Sequence, residues 1–430
     1  MTERTYLCID LKSFFASVEC VERGLNPMTT NLVVADPERS DRTICLAVSP
    51  SMKALGVKNR CRVFEIPRNI QYIMAPPRMQ TYIDYAAEIY GVYLKYISKD
   101  DIHVYSIDEC FLDVTDYLPK YKKTPKEMAV FLMDQLVKEL GLRSTCGIGT
   151  NLYLSKIALD ITAKHAEDFI GYLNEDLYQK TLWDHRPITD FWRIGTGTAR
   201  RLEHHGITSM REIAMADENL IYSLFGIDGE LLIDHAWGRE PTTIADIKAY
   251  KSKSNCLSSG QVLMRDYNYE EADIIVREMT DLLCLQLVDQ DVVCPNVSIG
   301  ICYSAAVLQA PAKGSVSFDP PTSSDRIIIP AVSDLYKRIT DRNLPIRRIY
   351  INFNNIGPES GSVQLSLFDT KENQTLLEKD KKRQQAVLEI KKRFGKNAVL
   401  KGIDLKDAAT TRERNFQIGG HKSGKEPKKG

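Results

Sequence analysis

Three carboxylates in this chain are spaced so that they could share a cation. Asp108 and Glu109 are adjacent within Tyr105–Val114, YSIDECFLDV, with Val104 and Ile107 before them and Phe111, Leu112 and Val114 after. Runs of this length, rich in β-branched and aromatic residues, predict two strands meeting at a turn. Two charges at the tip of a buried hairpin repel each other and lose hydration, and a cation between them offsets both costs. Taken alone, such a pair also fits a solvated acidic turn. Asp10 shifts the balance. It ends the short apolar strand Leu7, Cys8, Ile9 inside YLCIDLKSFFASVE, Tyr6–Glu19. Phe14, Phe15, Val18 and Val21 then predict a helix over Ser13–Glu22. A carboxylate at a strand end opposite a carboxylate hairpin suits two hard cations. Mg²⁺ takes one or two carboxylates, with water and substrate phosphates completing its shell. The chemistry this predicts is phosphoryl transfer from a nucleoside triphosphate with two ions about 3.5–4 Å apart.

The motifs D-x-x-S-F-F-A-S-V-E, from Asp10, and S-I-D-E, Ser106–Glu109, resemble the catalytic core of the Y-family DNA polymerases, the translesion enzymes. The UmuC-like branch (ImpB/MucB/SamB type) is the nearest match. The resemblance runs from about residue 5 to about residue 368, with both motifs in family order and at family separation. It implies an α+β right-hand polymerase: a ferredoxin-like palm (1–25 and 74–165), small fingers (26–73), a helical thumb with a helix–hairpin–helix turn (166–237), a linker (238–252), an α+β little finger (253–356) and a C-terminal tail (357–430). The activity it implies is template-directed, low-fidelity addition of deoxynucleotides to a primer 3′ end, in translesion synthesis and an SOS-type damage response. Its cofactors are two Mg²⁺ ions, with Mn²⁺ as the alternative. One is held by Asp10, Asp108 and Glu109, the other by Asp10, Asp108 and the Leu11 carbonyl.

The same resemblance assigns a nucleotide subsite. Phe15, five positions after Asp10, takes the place of the steric gate, a ring against C2′ that leaves room for hydrogen but not hydroxyl. Phe14 stands beside it, although an aromatic pair at a helix start is also ordinary core packing. Ser49 and Lys53 flank the start of a short helix in the fingers, and Lys53 fills the family's cationic position. A lysine beside free helix N–H groups suits phosphate. Pro50 stands where many relatives have a phosphate-contacting tyrosine. Lys156, in the run SKIA, is placed on the triphosphate.

The elements that must position these groups follow from the pattern. Tyr82, Ala86, Ile89, Tyr93 and Ile97 mark one helix and Met128–Leu140 another, with a strand at Thr145–Gly149. The order strand, helix, hairpin, helix, strand predicts an antiparallel sheet with helices on one face. Asn151 is placed to cap the helix carrying Lys156. In the fingers, strands are expected at Leu32–Ala35 and Thr43–Val48, then a helix at Ser51–Leu55. In the expected thumb, Phe191–Leu202, FWRIGTGTARRL, has Gly195 and Gly197 at a helix start where a DNA phosphate could bind N–H groups, with Arg200 and Arg201 adding charge. Residues 238–252 have few apolar anchors and read as a polar linker. Beyond them strands are expected at Leu257–Met264, Asn296–Tyr303, Gly314–Asp319 and Ile346–Asn352, with helices at Glu270–Val288 and Ile329–Thr340. Lys251, Lys253, Arg347 and Arg348 are the DNA-contact candidates there.

The formal net charge is zero over 430 residues, but from Lys371 onward there are 17 basic and 8 acidic residues. An acidic body suits metal-bound catalysis, because the ions bring positive charge to the centre. The 10 cysteines form no C-x-x-C pair. Cys8, Cys110, Cys146 and Cys302 lie in apolar runs and read as small buried hydrophobes of a reducing cytoplasm. There is no run of about 18 apolar residues and no basic, apolar leader, so neither a membrane span nor a signal peptide is expected. Gln364, Leu365, Ser366, Leu367 and Phe368 lie in a polar, Gly-flanked stretch and resemble the bacterial sliding-clamp peptide, with Leu367 and Phe368 as anchors. A helix is expected at Leu376–Leu400 and disorder over Arg412–Gly430. The expected partners are primer–template DNA, deoxynucleoside triphosphates, the sliding clamp and accessory SOS proteins. Two rival functions remain at this stage. One is an inactive polymerase-like adaptor, which loss of a carboxylate would favour. The other is a nucleotide cyclase with a similar palm, which the thumb turn and clamp peptide disfavour.

Overall fold

The computed structural model describes residues 4–252, 255–359 and 371–424. The chain divides into two compact units: residues 1–250 with 421–426, and 251–420 with the last four residues.

The first unit is built on a five-stranded sheet. Strand β1 (Tyr6–Leu11) leads into helix α1 (Phe14–Val21). The fingers insert then contributes β2 (Leu32–Val34), β3 (Ala47–Val48), α2 (Pro50–Ala54) and β4 (Ile73–Ala75). Helix α3 (Met79–Leu94) follows, then β5 (Ile102–Val104) and β6 (Glu109–Asp113), the two sides of the carboxylate hairpin. Next come α4 (Tyr117–Tyr121), α5 (Pro125–Leu140), β7 (Ser144–Gly149), α6 (Leu152–Ile157) and β8 (Ile170–Leu173). The sheet order is β5-β6-β1-β7-β8. It is antiparallel except at its edge, where β8 runs parallel to β7. Residues 166 onward were expected to be helical, but Ile170–Leu173 form β8, an edge strand of this sheet.

Successive residues of a strand point to opposite faces. Leu7, Ile9 and Leu11 bury one face of β1 against Phe14, Tyr82, Ile89, Leu132 and Leu136 of α1, α3 and α5. Tyr6 and Cys8 face the other way, into a cluster with Phe111, Leu152, Leu159 and Ile244. Helices therefore cover both faces, not the single face expected. The fingers insert has a small core of its own, including Val33, Cys45, Val48, Met52 and Ile66. The strand expected over Thr43–Val48 pairs only at Ala47–Val48, while Ile44 makes an isolated bridge to Arg62.

Helices α7 (Glu175–Thr181), α8 (Thr196–Glu203), α9 (Met210–Met215), α10 (Glu218–Phe225) and α11 (Asp228–Trp237) occupy the span expected as the thumb. Their core includes Tyr153, Leu154 and Ile157, so α6 serves palm and thumb together. The expected linker is a correction. Residues Ile244–Ala249 form helix α12, started by a Thr243–Asp246 capping box, and Ile244 is only 2% exposed. Ile244, with Ile247 packed against the same cluster, docks a segment whose composition is polar. The segment His421–Lys422 belongs to this unit too, and the N–H of Gln80 donates to the Ser423 carbonyl.

The second unit holds β9 (Cys256–Tyr267), α13 (Tyr269–Asp289), β10 (Val292–Tyr303), β11 (Ala312–Thr322), α14 (Asp325–Ile339) and β12 (Ile346–Asn354). These are the expected elements, each longer by a few residues. The sheet is antiparallel in the order β11-β10-β12-β9, with α13 and α14 packed on its buried face. Helix α15 spans Lys371–Phe394. The disorder expected from Arg412 does not hold among the described residues up to 424. A short helix occupies Thr411–Arg414, and the buried Glu278 carboxylate accepts from the N–H groups of Thr410 and Thr411 at 2.9 and 3.0 Å. A buried acceptor of this kind must be satisfied, and here the tail satisfies it.

Candidate active site

The register of β1 and β6 sets the centre. Asp10 lies directly opposite Glu109, and the Leu11 N–H donates to the Asp108 carbonyl at 3.0 Å. Directly opposed residues of an antiparallel pair project from the same face. Asp108 sits in the turn itself, half-buried, where the Ser106 hydroxyl donates to its Oδ1 at 2.8 Å. The Glu109 carbonyl accepts from the N–H groups of Tyr105 and Ser106, which closes the turn.

The electrostatics show the strain of this arrangement. Burial, then the charges of Asp108 and Glu109, push the Asp10 carboxyl up to about 7, with Lys156 and Lys164 opposing the rise. A buried carboxyl facing two like charges is stabilised by a hard cation, which restores its ionised form. The donors fit an open, oxygen-rich site for such an ion. Among the described residues no group of three or more aspartate, glutamate, histidine or cysteine side chains is placed to hold a metal ion, so the chain does not by itself supply a complete ligand set. An open set of this kind leaves coordination positions to water and phosphate, the arrangement Mg²⁺ favours.

Helix α6 reaches the centre because β7 is stripped of side chains beneath it. A Cβ on Gly147 would lie 2.1 Å from the Ser155 carbonyl oxygen, and one on Gly149 2.1 Å from the Ser155 nitrogen. Only glycine permits so close an approach. Asn151 caps the helix as expected, accepting from the Leu154 N–H at 2.8 Å. Lys156 is thereby carried over the sheet. Its Nζ donates to Glu109 Oε2 at 2.8 Å and lies 3.1 Å from Asp160 Oδ2. The Cys8 thiol donates to Glu109 Oε1 at 3.2 Å. Burial, then the charge of Glu109, raises the Cys8 thiol well above its ordinary range. Burial alone would lower Lys156, but the facing groups Cys8, Glu109 and Asp160 outweigh it and the net shift is upward.

Lys156, expected at the triphosphate, has its ammonium against the carboxylates of Glu109 and Asp160. Ser49 is a correction. Fully buried, its hydroxyl accepts from the N–H groups of Leu32 and Met52, capping α2, and is not presented to a nucleotide. Phe14 is 2% exposed and belongs to the sheet core, because the first turn of α1 points it inward. Phe15 is half-buried and stacks on Tyr82. Lys53 is exposed, and desolvation, with Lys164 nearby, lowers its pKa while Asp10 and Asp108 act in the other direction. Lys12 responds in the same sense to burial, Lys53 and Lys164. Lys12, Lys53 and Lys164 thus form a cationic group about Asp10. Two of them were missed, since isolated lysines separated by over a hundred positions carry no local signal.

In the thumb, Gly195 starts α8 and Gly197 lies in its first turn, and nothing lies within 4 Å of a Cβ added to either. Arg200 is exposed. Arg201 is committed elsewhere: its Nη1 donates to the Leu224 carbonyl at 2.7 Å and its guanidinium lies over Phe225, tying α8 to α10. The turn also meets the carboxylate hairpin, where Trp192 Nε1 donates to the Tyr105 hydroxyl at 3.0 Å. In the second unit, Arg348 is exposed and Arg347 lies 3.4 Å from Asp266. Lys251 is exposed. Lys253 and Gln364–Phe368 lie outside the described residues.

Residues 9–160 match the impB/mucB/samB family, and residues 255–367 match the impB/mucB/samB family C-terminal domain. The chain is 31% identical over 423 residues to a Bacillus subtilis (strain 168) protein named as a UV-damage repair protein, UvrX, with 98% of each chain covered. It is 29% identical over 430 residues to DNA polymerase IV 2 of the same strain, covering 98% of this chain and 99% of that one. Among solved structures it is similar in fold to a Y-family DNA polymerase chimera of Dbh and Dpo4. The TM-score is 0.62 at 19% identity, over 83% of this chain and 100% of that one.

Proposed function

The chain belongs to the impB/mucB/samB family and is a Y-family, DNA-directed DNA polymerase of translesion synthesis and damage repair, and we propose that Asp10, Asp108 and Glu109 are its catalytic carboxylates. Membership implies dependence on a divalent metal, and binding of primer–template DNA and deoxynucleoside triphosphates. The finer reading is two Mg²⁺ ions, replaceable by Mn²⁺, on Asp10, Asp108, Glu109 and the Leu11 carbonyl. One observation carries it: Asp10 faces Glu109 across β1 and β6 beside Asp108, and its carboxyl is pushed up to about 7.

When bound, the ions supply a more acidic primer 3′-hydroxyl and a neutralised pyrophosphate leaving group. The chain supplies placement. Asp10 and Asp108 present oxygens from a strand end and a hydrogen-bonded turn, so little reorganises during reaction. Phe15 sets the space beside the sugar. Lys53, with Lys12 and Lys164 close enough to influence its charge or that of Asp10, is the cationic group proposed for the triphosphate. Gly195, Gly197 and Arg200 take duplex phosphates through N–H groups and charge, without reading sequence. Arg348 and Lys251 are the exposed cations proposed for DNA in the second unit.

Gln364–Phe368 is proposed to engage the bacterial sliding clamp, and accessory SOS proteins to act with the enzyme. No helix among the described residues is long and apolar enough to cross a membrane, which fits the cytoplasmic location proposed here. Primer extension on a templated duplex with Mg²⁺ tests the catalytic reading. Asp108→Ala should abolish extension while the melting temperature and duplex binding hold, because the change also removes like-charge repulsion. Normal extension by that variant sinks the assignment.

A further inference from the structure

We propose that Cys45 and Cys61 form a redox modification site: a thiol pair that a peroxide closes into a cross-strand disulfide, stapling the segment that carries α2 and Lys53.

The backbone brings the two residues together. Ile44 and Arg62 make an isolated antiparallel bridge. On one side of it the Val63 N–H donates to the Thr43 carbonyl at 3.1 Å, and on the other the Cys45 N–H donates to the Cys61 carbonyl at 2.8 Å. Cys45 therefore stands directly opposite Cys61. Opposed residues of an antiparallel pair project from the same face, and at a hydrogen-bonded position their Cα atoms are about 5.5 Å apart. A disulfide spans about 4.4–6.8 Å between Cα atoms, so closure here needs little movement of the backbone. The side chains meet as well. Both lie in the small core with Val48, Met52 and Val57, and the two thiols hydrogen-bond each other. Both are free thiols in this structure.

The enclosed segment holds β3 and α2, with Ser49 capping the helix and Lys53 exposed on it. A helix of five residues is not stable by itself, so its place depends on the chain that enters at Cys45 and leaves at Cys61. A covalent bond between those two points closes the segment into a ring and limits its local opening.

Cys61 is 8% exposed and Cys45 is completely buried, so a peroxide meets Cys61 first. The Cys61 thiol gives up its proton and its sulfur attacks one peroxide oxygen. The O–O bond breaks, water leaves and a sulfenic acid remains on Cys61. Cys45 then loses its proton and attacks that sulfur; the S–S bond forms as the S–O bond breaks, and a second water leaves. Two electrons have passed from the thiol pair to the peroxide. Burial raises both thiols above their ordinary range, Cys45 to about 12, which keeps thiolate scarce and confines closure to sustained oxidant. Under reducing conditions the pair rests as thiols, as expected of a responsive bond rather than a permanent one.

The test uses the full chain carrying Cys256→Ser, since Cys256 is exposed and would join molecules to one another. The protein is held in hydrogen peroxide at mildly alkaline pH, alkylated, digested without reduction and analysed by mass spectrometry. The Cys45–Cys61 linkage should be the first disulfide to accumulate, and dithiothreitol should return both thiols. Tryptic cleavage after Lys53, Lys58 and Arg60, all exposed, should slow about tenfold or more in the oxidised protein. Neither change should occur in Cys45→Ser or Cys61→Ser, and should either fail to fold, Cys45→Ala and Cys61→Ala take its place as controls. The proposal is overturned if Cys45 and Cys61 are both still alkylated once the peroxide-treated protein is denatured, or if Cys61 accumulates as sulfinic acid instead. It is overturned equally if the linkage forms only in denaturant, or forms in the folded protein without slowing cleavage.

Discussion

The ring of Phe15 stacks on the ring of Tyr82, with centroids 4.4 Å apart and planes 15° from parallel. Tyr82 is fully buried, and its hydroxyl donates to Glu19 Oε1 at 2.8 Å. Glu19 in turn is held by Arg78 at 2.9 Å. The proposed gate is therefore fixed from behind by a chain of contacts running through α1 and α3.

This backing makes the gate testable in two steps. Phe15→Ala should lower the ratio of kcat/KM for deoxy- over ribonucleoside triphosphate. One steric element is worth about 1–3 kcal/mol, a change of roughly ten- to a hundredfold. Tyr82→Leu should shift the ratio in the same direction by less, because it frees the ring without removing it. An unchanged ratio in a folded, active Phe15→Ala would mean that Phe15 is core and no more.

The carboxylates were legible because their chemistry is local in sequence: a strand ending in Asp10 and a hairpin bearing Asp108 and Glu109. The partners of Glu109 were not. Lys156 lies 47 positions away and Cys8 101, and what joins them is the bare surface of Gly147 and Gly149, which looks in sequence like any flexible pair. Resemblance put Lys156 on the triphosphate, but gave no sign of the contacts its ammonium makes with Glu109 and Asp160. Ser49 was misplaced because a serine before a short helix is first of all a cap. Element types in the second unit followed from periodicity, while the docked tail depends on one buried acceptor, Glu278, 132 positions before the N–H group of Thr410.

The elevated Asp10 carboxyl predicts how stability varies with pH in metal-free protein. The unfolded chain ionises Asp10 near the ordinary aspartate value of about 3.9, whereas the folded chain keeps the proton to about 7. Between those values the folded state binds more protons, so stability falls as pH rises, by at most a few kcal/mol. Melting temperatures measured in chelator from pH 4 to pH 8 should decline over that window beyond any trend in Asp10→Asn. Added Mg²⁺ should reduce the decline. Identical pH profiles for the wild type and Asp10→Asn would show that Asp10 is not destabilised in the fold.

Docking of α12 makes Ile244 a stability determinant. Truncating a buried isoleucine to alanine costs about 2–5 kcal/mol, while the same change in a solvated linker stays within about 0.5 kcal/mol. Denaturant unfolding of Ile244→Ala should therefore show a clear loss. A loss below about 0.5 kcal/mol would return residues 238–252 to the role of a solvated tether.

Gln364–Phe368 offers a function separable from catalysis. Leu367 and Phe368 are the residues proposed as apolar anchors of the peptide, with Gln364 proposed for the polar contact at its edge. Changing both anchors to alanine should leave synthesis on a short primer intact and remove stimulation by the sliding clamp. Truncated hot-spot anchors cost about 2 kcal/mol or more each, enough to lower clamp occupancy more than tenfold. The catalytic carboxylates belong to the first compact unit and the peptide is remote from them in sequence, so the two losses should be independent. Extension with and without loaded clamp, together with titration of clamp against a peptide spanning Val363–Asp369, measures both. If the double variant still binds clamp as tightly, the partner assignment fails. If lost stimulation comes with lost clamp-free synthesis, these five residues support the fold and are not a docking signal.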